Sequence, residues 1–447
     1  MKEDNKREPS SRHVGILAWS VKKPNPKVEQ FLARPAFPAA AETAAAEVLA
    51  DIRKRGERAV LAAAKKFDGA SLKPSELRVP TAEITAATKA VPAQVKRAVQ
   101  EAHRRVMTFA MAGLREPWYT QTANGGYTGE FYSPMDRVGV YVPGGTAPLA
   151  STAIMTVTLA KAAGVKEIVA CTPCNTSKTV NPVLLYALKL AGATEIYRVG
   201  GIQSIGLMAF GTKDIKPVQK IAGPGNAYVT AAKRQVYGYT AIDQVAGPSE
   251  IAILADASAN PAWVAADLLS QAEHGSGHEK ALLVTDSKAL AEAVCDEIAW
   301  QAAKLPRAAM VERVIASDGI LLVVAPDLKQ GMELVNRFAP EHFEIMAKDA
   351  RRYLNDVRAA GAVFVGEWTP ESVGDFIAGP SHVLPTGGAA RMFNGLTADD
   401  FRRRHSFVEF TREDLAETCP AIEIFADVEG LAAHGRSASI RFADRCK

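Results

Sequence analysis

Between residues 138 and 325, short apolar runs alternate with longer amphipathic stretches. Segment 138–142 reads as a strand and 150–163 as the helix after it. The pattern repeats as a strand at 167–171, a helix around 182–191, a strand at 195–199 and a helix at 227–237. Three further runs, 251–254, 281–284 and 320–325, are strand-length, bounded by polar or turn residues, and each is followed by a helical pattern. Strands of this length alternating with helices predict βαβ units and a mostly parallel sheet. Ahead of them, 39–67 and 81–112 read as long helices rich in Ala, Glu, Lys and Arg with one apolar face. After about residue 395 the alternation fades into polar and basic sequence. The expected architecture is therefore α/β, with two α/β units, a helical N-terminal part and a small C-terminal extension.

A chain of 447 residues suits several domains. With 48% apolar and 23% charged residues it has the composition of a packed globular protein. The net charge of +4 is spread thinly, so nucleic acid is not an expected partner, and the Arg402-Arg403-Arg404-His405 run reads as a solvated face or an intersubunit contact. No stretch approaches the roughly 20 apolar residues of a membrane span. The apolar patch at 14–19 is too short for a signal-peptide core, and 1–26 reads as a flexible tail. Five cysteines suggest no disulfide framework, so a cytoplasmic protein is expected. Cys171-Thr172-Pro173-Cys174 is a lone CxxC whose first cysteine reads as buried packing.

Three segments place Gly and Pro where a strand should hand over to a helix: Val142-Pro143-Gly144-Gly145-Thr146-Ala147-Pro148, Gly200-Gly201-Ile202-Gln203 and Gly223-Pro224-Gly225-Asn226. Singly, each is a tight turn as readily as a binding loop. Three in succession along one sheet edge point to a ligand crevice, although none carries the GxGxxG fingerprint.

The eight histidines sort by their neighbours. Gln271 and His274 stand three residues apart, on one face near the C-terminal end of an expected helix, as a metal pair or as a helix cap. Glu341-His342 follows Ala339-Pro340, a rigid turn that suits positioned acid–base groups. Asp375 and His382 bracket Gly379-Pro380, and His434 lies five residues after Glu429. None shows the dense spacing of a zinc finger, so a site using them has to be assembled by the fold.

Taken together, the longer motifs carry a resemblance. Asp267-Leu268-Leu269-Ser270-Gln271-Ala272-Glu273-His274-Gly275, Ala246-Gly247-Pro248-Ser249-Glu250, Ala339-Pro340-Glu341-His342 and His382-Val383-Leu384-Pro385-Thr386-Gly387-Gly388 closely resemble the histidinol dehydrogenase family, in the family's order. The loop from Tyr141, the segment from Gly223 and the closing Glu429-Gly430-Leu431-Ala432-Ala433-His434 also fit. The resemblance implies two Rossmann-like domains and a zinc-dependent, NAD-linked oxidation of L-histidinol to L-histidine through the aldehyde, the last step of histidine biosynthesis. It implies a homodimer that exchanges its C-terminal segments. Carried over residue by residue, Gln271, His274, Asp375 and His434 would bind Zn2+, His434 reaching across from the partner. Those four, with Ser249, His342, His382 and Glu429, would contact substrate. Glu341 and His342 would be the catalytic acid–base pair, and Tyr141, Gln203 and Asn226 would line the NAD site.

The domains so implied are 27–135 plus 250–385 for zinc and substrate, 136–249 for NAD, and 386–447 as the exchanged extension. Gln244-Val245, Ser381, Phe343 and Gly201-Ile202-Gln203-Ser204 depart from the family's usual residues. Two alternatives stand beside this reading: a zinc- and NAD-dependent paralogue for another small amino or sulfonated alcohol, and a catalytically silent metal-binding dimer. Retained Glu429 and His382 favour histidinol over the first, and the intact Glu341, His342 and ligand set disfavours the second.

Overall fold

The structure is a computed structural model that describes residues 14–33, 38–144 and 148–443. Residues 1–13 of the expected tail and Gly145-Thr146-Ala147 of the first glycine loop lie outside the described residues. Three sheets organise the chain. The first is all parallel and six-stranded, made of β1 (Gly15–Ala18), β9 (Glu250–Ala255), β10 (Lys280–Thr285), β11 (Ile320–Val324), β12 (His342–Met346) and β13 (Ala362–Val365), in the order β1-β11-β10-β9-β12-β13. The second is parallel and five-stranded, made of β4 (Arg137–Tyr141), β5 (Glu167–Cys171), β6 (Glu195–Tyr197), β7 (Lys220–Ala222) and β8 (Ala241–Ile242), in the order β6-β5-β4-β7-β8. A small antiparallel sheet joins β2 (Trp118–Gln121), β3 (Tyr127–Pro134) and β14 (Arg402–Glu409).

Alternation of side chains explains why the first sheet reads as unbroken apolar runs. Ile251, Ile253 and Ala255 of β9 enter one hydrophobic cluster, while Ala252 and Leu254 enter the cluster on the opposite face. Ala281 and Leu283 of β10 divide from Leu282 and Val284 in the same way. A sheet covered on both faces demands apolar residues at every position.

The structure differs from the sequence reading in several elements. The long helix expected over 39–67 breaks at Gly56, whose φ of 58° suits glycine, into helices Ala39–Arg55 and Glu57–Ala63 followed by a π-helical turn at Ala64–Asp68. The helix expected over 81–112 breaks before Pro92 into Thr81–Ala90 and Ala93–Ala112. Part of the expected tail, Gly15–Ala18, is an edge strand paired with β11. The apolar patch too short for a signal peptide is long enough for a strand. Finally, Ala45, Leu49, Ile52 and Val106 of the N-terminal helices share the core of the second sheet. The packing thus attaches this helical part to the unit built on 136–249, not to the first sheet. No helix among the described residues is long and apolar enough to cross a membrane.

Buried Arg137 opens β4 and bridges Glu195 at 2.7 Å and Glu167 at 2.6 Å, tying the starts of β4, β5 and β6 together. The Arg137 guanidinium holds the Glu195 carboxyl down at about 2. A depressed acid adds stability that is present above its unfolded pKa and lost as pH falls through its folded one. Arg137→Met is expected to cost about 3 kcal/mol at pH 7, because it strands a half-buried carboxylate. In urea melts that deficit should narrow as pH falls from about 5 towards 2; a deficit independent of pH would refute the assignment.

Candidate active site

The candidate acid–base pair sits at the amino ends of two neighbouring strands. Helix Leu328–Phe338 is closed by Ala339 in the left-handed region at φ 51°, Pro340 turns the chain, and β12 begins at His342. Glu250, the first residue of the adjacent β9, holds both members through its backbone. Its N–H donates to Glu341 Oε2 at 3.0 Å, and its carbonyl receives His342 Nδ1 at 3.2 Å. A carbonyl only accepts, so Nδ1 carries the proton and Nε2 points inward. Nε2 lies 3.3 Å from Asp375 Oδ1, yet it is buried without an aligned hydrogen bond.

Around this pair the fold shuts in an unusual number of acids. Glu341, Glu344 and Glu371 are buried. Burial pushes Glu341 up to about 8, with the His342 charge opposing the rise. Burial also works against a charged His342, but the Glu341 and Asp375 carboxylates outweigh it and hold the imidazole near 10. Burial likewise raises Asp375, yet its contact with His342 keeps it below the ordinary aspartate value. Glu371 is raised, again by burial. Behind it, burial lifts Asp267 to about 7 and Glu344 well above its normal range. Glu344 Oε1 accepts the Glu371 N–H at 2.6 Å, and Ser270 Oγ donates to Glu371 Oε2 at 2.6 Å, so these groups fasten the helices Pro261–Ala272 and Glu371–Phe376 to β12.

The proposed metal ligands are brought together only in part. Gln271 is fully buried at the end of helix Pro261–Ala272, and both its amide atoms lack hydrogen-bond partners. His274 is not on that helix: Glu273 caps it, and His274 lies in the turn beyond, exposed and close enough to act electrostatically on Asp375. Among the described residues, the His, Cys, Asp and Glu side chains close enough to share an ion are His342, Glu371 and Asp375. Glu371 was not singled out from the sequence, where it is one more acid in a helix start.

His382 donates Nδ1–H to the Asp375 carbonyl at 3.0 Å, so its Nε2 accepts from Thr152 Oγ1 at 2.9 Å; burial depresses its pKa and favours the neutral ring. Thr152, from helix Ala150–Ala162, also went unnoticed, because nothing in an apolar helix marks one threonine. Ser249 directly precedes β9. Glu429 caps helix Arg412–Val428, and His434 lies on helix Ala432–Ser439; both are exposed.

The three glycine loops do follow β4, β6 and β7, at the carboxyl edge of the second sheet. The chain builds β4, β5 and β6 outward in one direction, then β7 and β8 in the other, so Tyr141 and Gly223 flank the point where strand order reverses. Parallel sheets form a ligand crevice at that point. Tyr141 is buried, and burial pushes its pKa up to about 12. Gln203 gives its Nε2 to Asp68 at 2.9 Å, which leaves its Oε1 buried and unpartnered. Asn226 caps helix Ala227–Val236 by accepting from the N–H groups of Tyr228 and Val229.

The family profile described as histidinol dehydrogenase matches residues 34–442. A histidinol dehydrogenase from a Synechococcus strain is 42% identical over 400 residues, spanning 90% of this chain and 92% of that protein. One from Listeria monocytogenes is 41% identical over 403 residues, spanning 90% and 93%. The crystal structure of histidinol dehydrogenase from Elizabethkingia anophelis superposes with a TM-score of 0.90 at 35% identity, covering 96% of this chain and 98% of that one.

The buried acids make a prediction of their own. A carboxyl raised on folding contributes stability that is lost as pH rises from the unfolded pKa towards the folded one. Glu344→Gln keeps the shape, keeps an acceptor for the Glu371 N–H, and removes that dependence. Metal-free Glu344→Gln is expected to be more stable than the parent at pH 8 and near parity at pH 4. Equal or lower stability at pH 8 by calorimetry would contradict it.

Proposed function

Because the chain belongs to the histidinol dehydrogenase family, oxidoreductases of histidine biosynthesis, we propose that it oxidises L-histidinol to L-histidine through L-histidinal with two NAD and one zinc ion per site. The observation that carries this reading is the buried Glu341–His342 pair, held by one residue's backbone beside Asp375 and the unpartnered Gln271 amide.

The donor set fits a zinc ion. Imidazole, carboxylate and amide oxygen suit this borderline cation, and the orphaned Gln271 amide and the unaligned His342–Asp375 approach are what a site shaped for a third group leaves behind. Gln271, His274, Asp375 and the exchanged His434 are the proposed ligands. A bound zinc would supply Lewis-acid anchoring of the substrate's imidazole and amine and would offset the acids around His342, and NAD would be the hydride acceptor. Tyr141, Gln203 and Asn226 are the proposed NAD-lining residues; the buried, unpartnered Gln203 Oε1 supports this. Ser249, His382 and Glu429 complete the substrate site, and His382 braces Asp375 through its backbone carbonyl.

With a bound cation offsetting the Glu341 and Asp375 carboxylates that hold it charged, His342 would receive the alcohol proton on Nε2, since Nδ1 is committed to the Glu250 carbonyl. Glu341, fixed by the Glu250 N–H, takes a proton from the water that adds to the aldehyde, and His342 assists again as the hydrate loses its hydride. Exchange of 386–447 between two copies is supported by apolar side chains left exposed on helix Arg412–Val428: Ile424 at 65%, Phe425 at 67% and Val428 at 79%. It would also bring Glu429 and His434 to a site they line in neither helix here.

The test is NADH formed per L-histidinol consumed, with and without a zinc chelator. Two NADH, abolished by chelation and restored by zinc, is the expected result. No NADH from zinc-loaded protein would overturn the proposal and lead to other small alcohols. Glu341→Gln is expected to keep its zinc and much of the first oxidation but to slow the second by about 10²–10⁴, accumulating aldehyde. Equal loss of both steps would refute that division of labour.

A further inference from the structure

Lys233 and Asp243 form an ion pair with side chains only 4% and 3% exposed, and neither belongs to the site described above. What they enclose is the backbone of one residue, Gly223. Gly223 N–H donates to Asp243 Oδ2 at 2.7 Å, and the Gly223 carbonyl accepts from Lys233 Nζ at 2.9 Å. Asp243 Oδ1 also accepts the Gln244 N–H at 2.6 Å. On a third side Gly223, at φ +119°, approaches Tyr141 so closely that a Cβ there would lie 2.1 Å from its carbonyl oxygen. The first residue of the Gly223-Pro224-Gly225-Asn226 loop is thus fixed through its donor, its acceptor and its missing side chain.

The sequence explains the reach. Lys233 lies on helix Ala227–Val236, the helix this loop leads into, and helical side chains lean towards the N-terminus. Lys233 therefore runs back along its own helix to the loop. An ammonium alone at that end would oppose the helix dipole, and Asp243, just past β8, cancels it.

We infer that Lys233 and Asp243 are positioning residues for the dinucleotide: a buried ion pair that sets the loop carrying Asn226 in its binding shape. This rests on the reading of that loop as part of the NAD site. A pair needed only for stability could be exchanged for a neutral pair of similar volume without consequence for binding. A pair needed for loop geometry could not, because Gly223 would lose its Lys233 donor and its charged acceptor together.

The experiment uses zinc-loaded Lys233→Met/Asp243→Asn, with the milder Asp243→Asn beside it. Steady-state kinetics give KM for NAD and for L-histidinol separately, and hydrogen–deuterium exchange reads the loop amides without NAD. The expected result is a KM for NAD raised at least tenfold, KM for L-histidinol within twofold, kcat at saturating NAD within threefold, and faster exchange at Gly223, Gly225 and Asn226. An unchanged KM for NAD in folded protein would overturn the inference, as would equal changes in both KM values and kcat. If neither variant folds, the pair serves stability alone and the inference also fails. Failure of the functional reading looks different: the parent enzyme would make no NADH from L-histidinol, while exchange would still report whether the pair holds the loop.

Discussion

Keeping water from charged groups at the amino ends of β9 and β12 is the constraint on which the rest of this structure turns. Isolated buried charges are expensive, and here Glu341, Glu371 and Asp375 gather around one central imidazole, with Asp267 and Glu344 behind Glu371. Strand ends are where such groups find partners most cheaply, because the backbone there has donors and acceptors to spare. Glu250 supplies one of each, to Glu341 and His342, and Glu371 supplies an N–H to Glu344. Even so, negative charge exceeds what His342 can neutralise, and the metal-free fold responds by holding protons on several of the acids. A cluster so arranged favours a cation.

The two parallel sheets place their chemistry at opposite ends. The proposed dinucleotide crevice lies at the carboxyl edge of the second, where β4 and β7 part, and the candidate acid–base pair at the amino ends of β9 and β12 in the first. Joining the two falls to the segment that runs from Asp243 to Glu250. Gln244 donates to the Leu384 carbonyl at 2.5 Å, the Gly247 N–H reaches Thr386 Oγ1, and Glu250 Oε2 accepts the Gly387 N–H at 3.2 Å. Each bond ties the linker to the segment that begins at His382. On the proposed reading, hydride transfer needs its two reactants held within van der Waals distance, which a linker fastened to both candidate sites serves.

Much of this was legible in the sequence. Strands over 167–171 and 281–284 and the helix over 182–191 were readable because buried parallel strands and the helices on them leave strong patterns. The breaks at Gly56 and Pro92 were written in single residues that a broad amphipathic pattern overrides. The antiparallel sheet was missed for a physical reason. Arg402–Glu409 buries little, and its pairing with Tyr127–Pro134 is a contact across some 270 residues that no local pattern records. Within the candidate site, motifs pointed to Gln271, Glu341, His342, Asp375 and His382. Glu371, Thr152 and Glu250 act through position: the first offers a carboxylate, the second a hydroxyl and the third a backbone, and none of these stands out without the fold.

The choice of an amide at position 271 follows from the same electrostatics. A glutamate there would add another buried carboxylate to a cluster that already holds more acid than it can ionise, and its desolvation would have to be met by the same imidazole or the same cation. Gln271 presents a carbonyl oxygen of comparable reach without that charge, and its amide nitrogen can face a neighbouring acid. A neutral donor also leaves more of a cation's charge to act on the groups beside it, above all Asp375 and His342. The fully buried amide with no hydrogen bond fits the proposed reading of a cation site in which negative charge is already in excess. Its unsatisfied atoms are tolerable in the protein alone because an unpaired amide costs far less than an unpaired carboxylate.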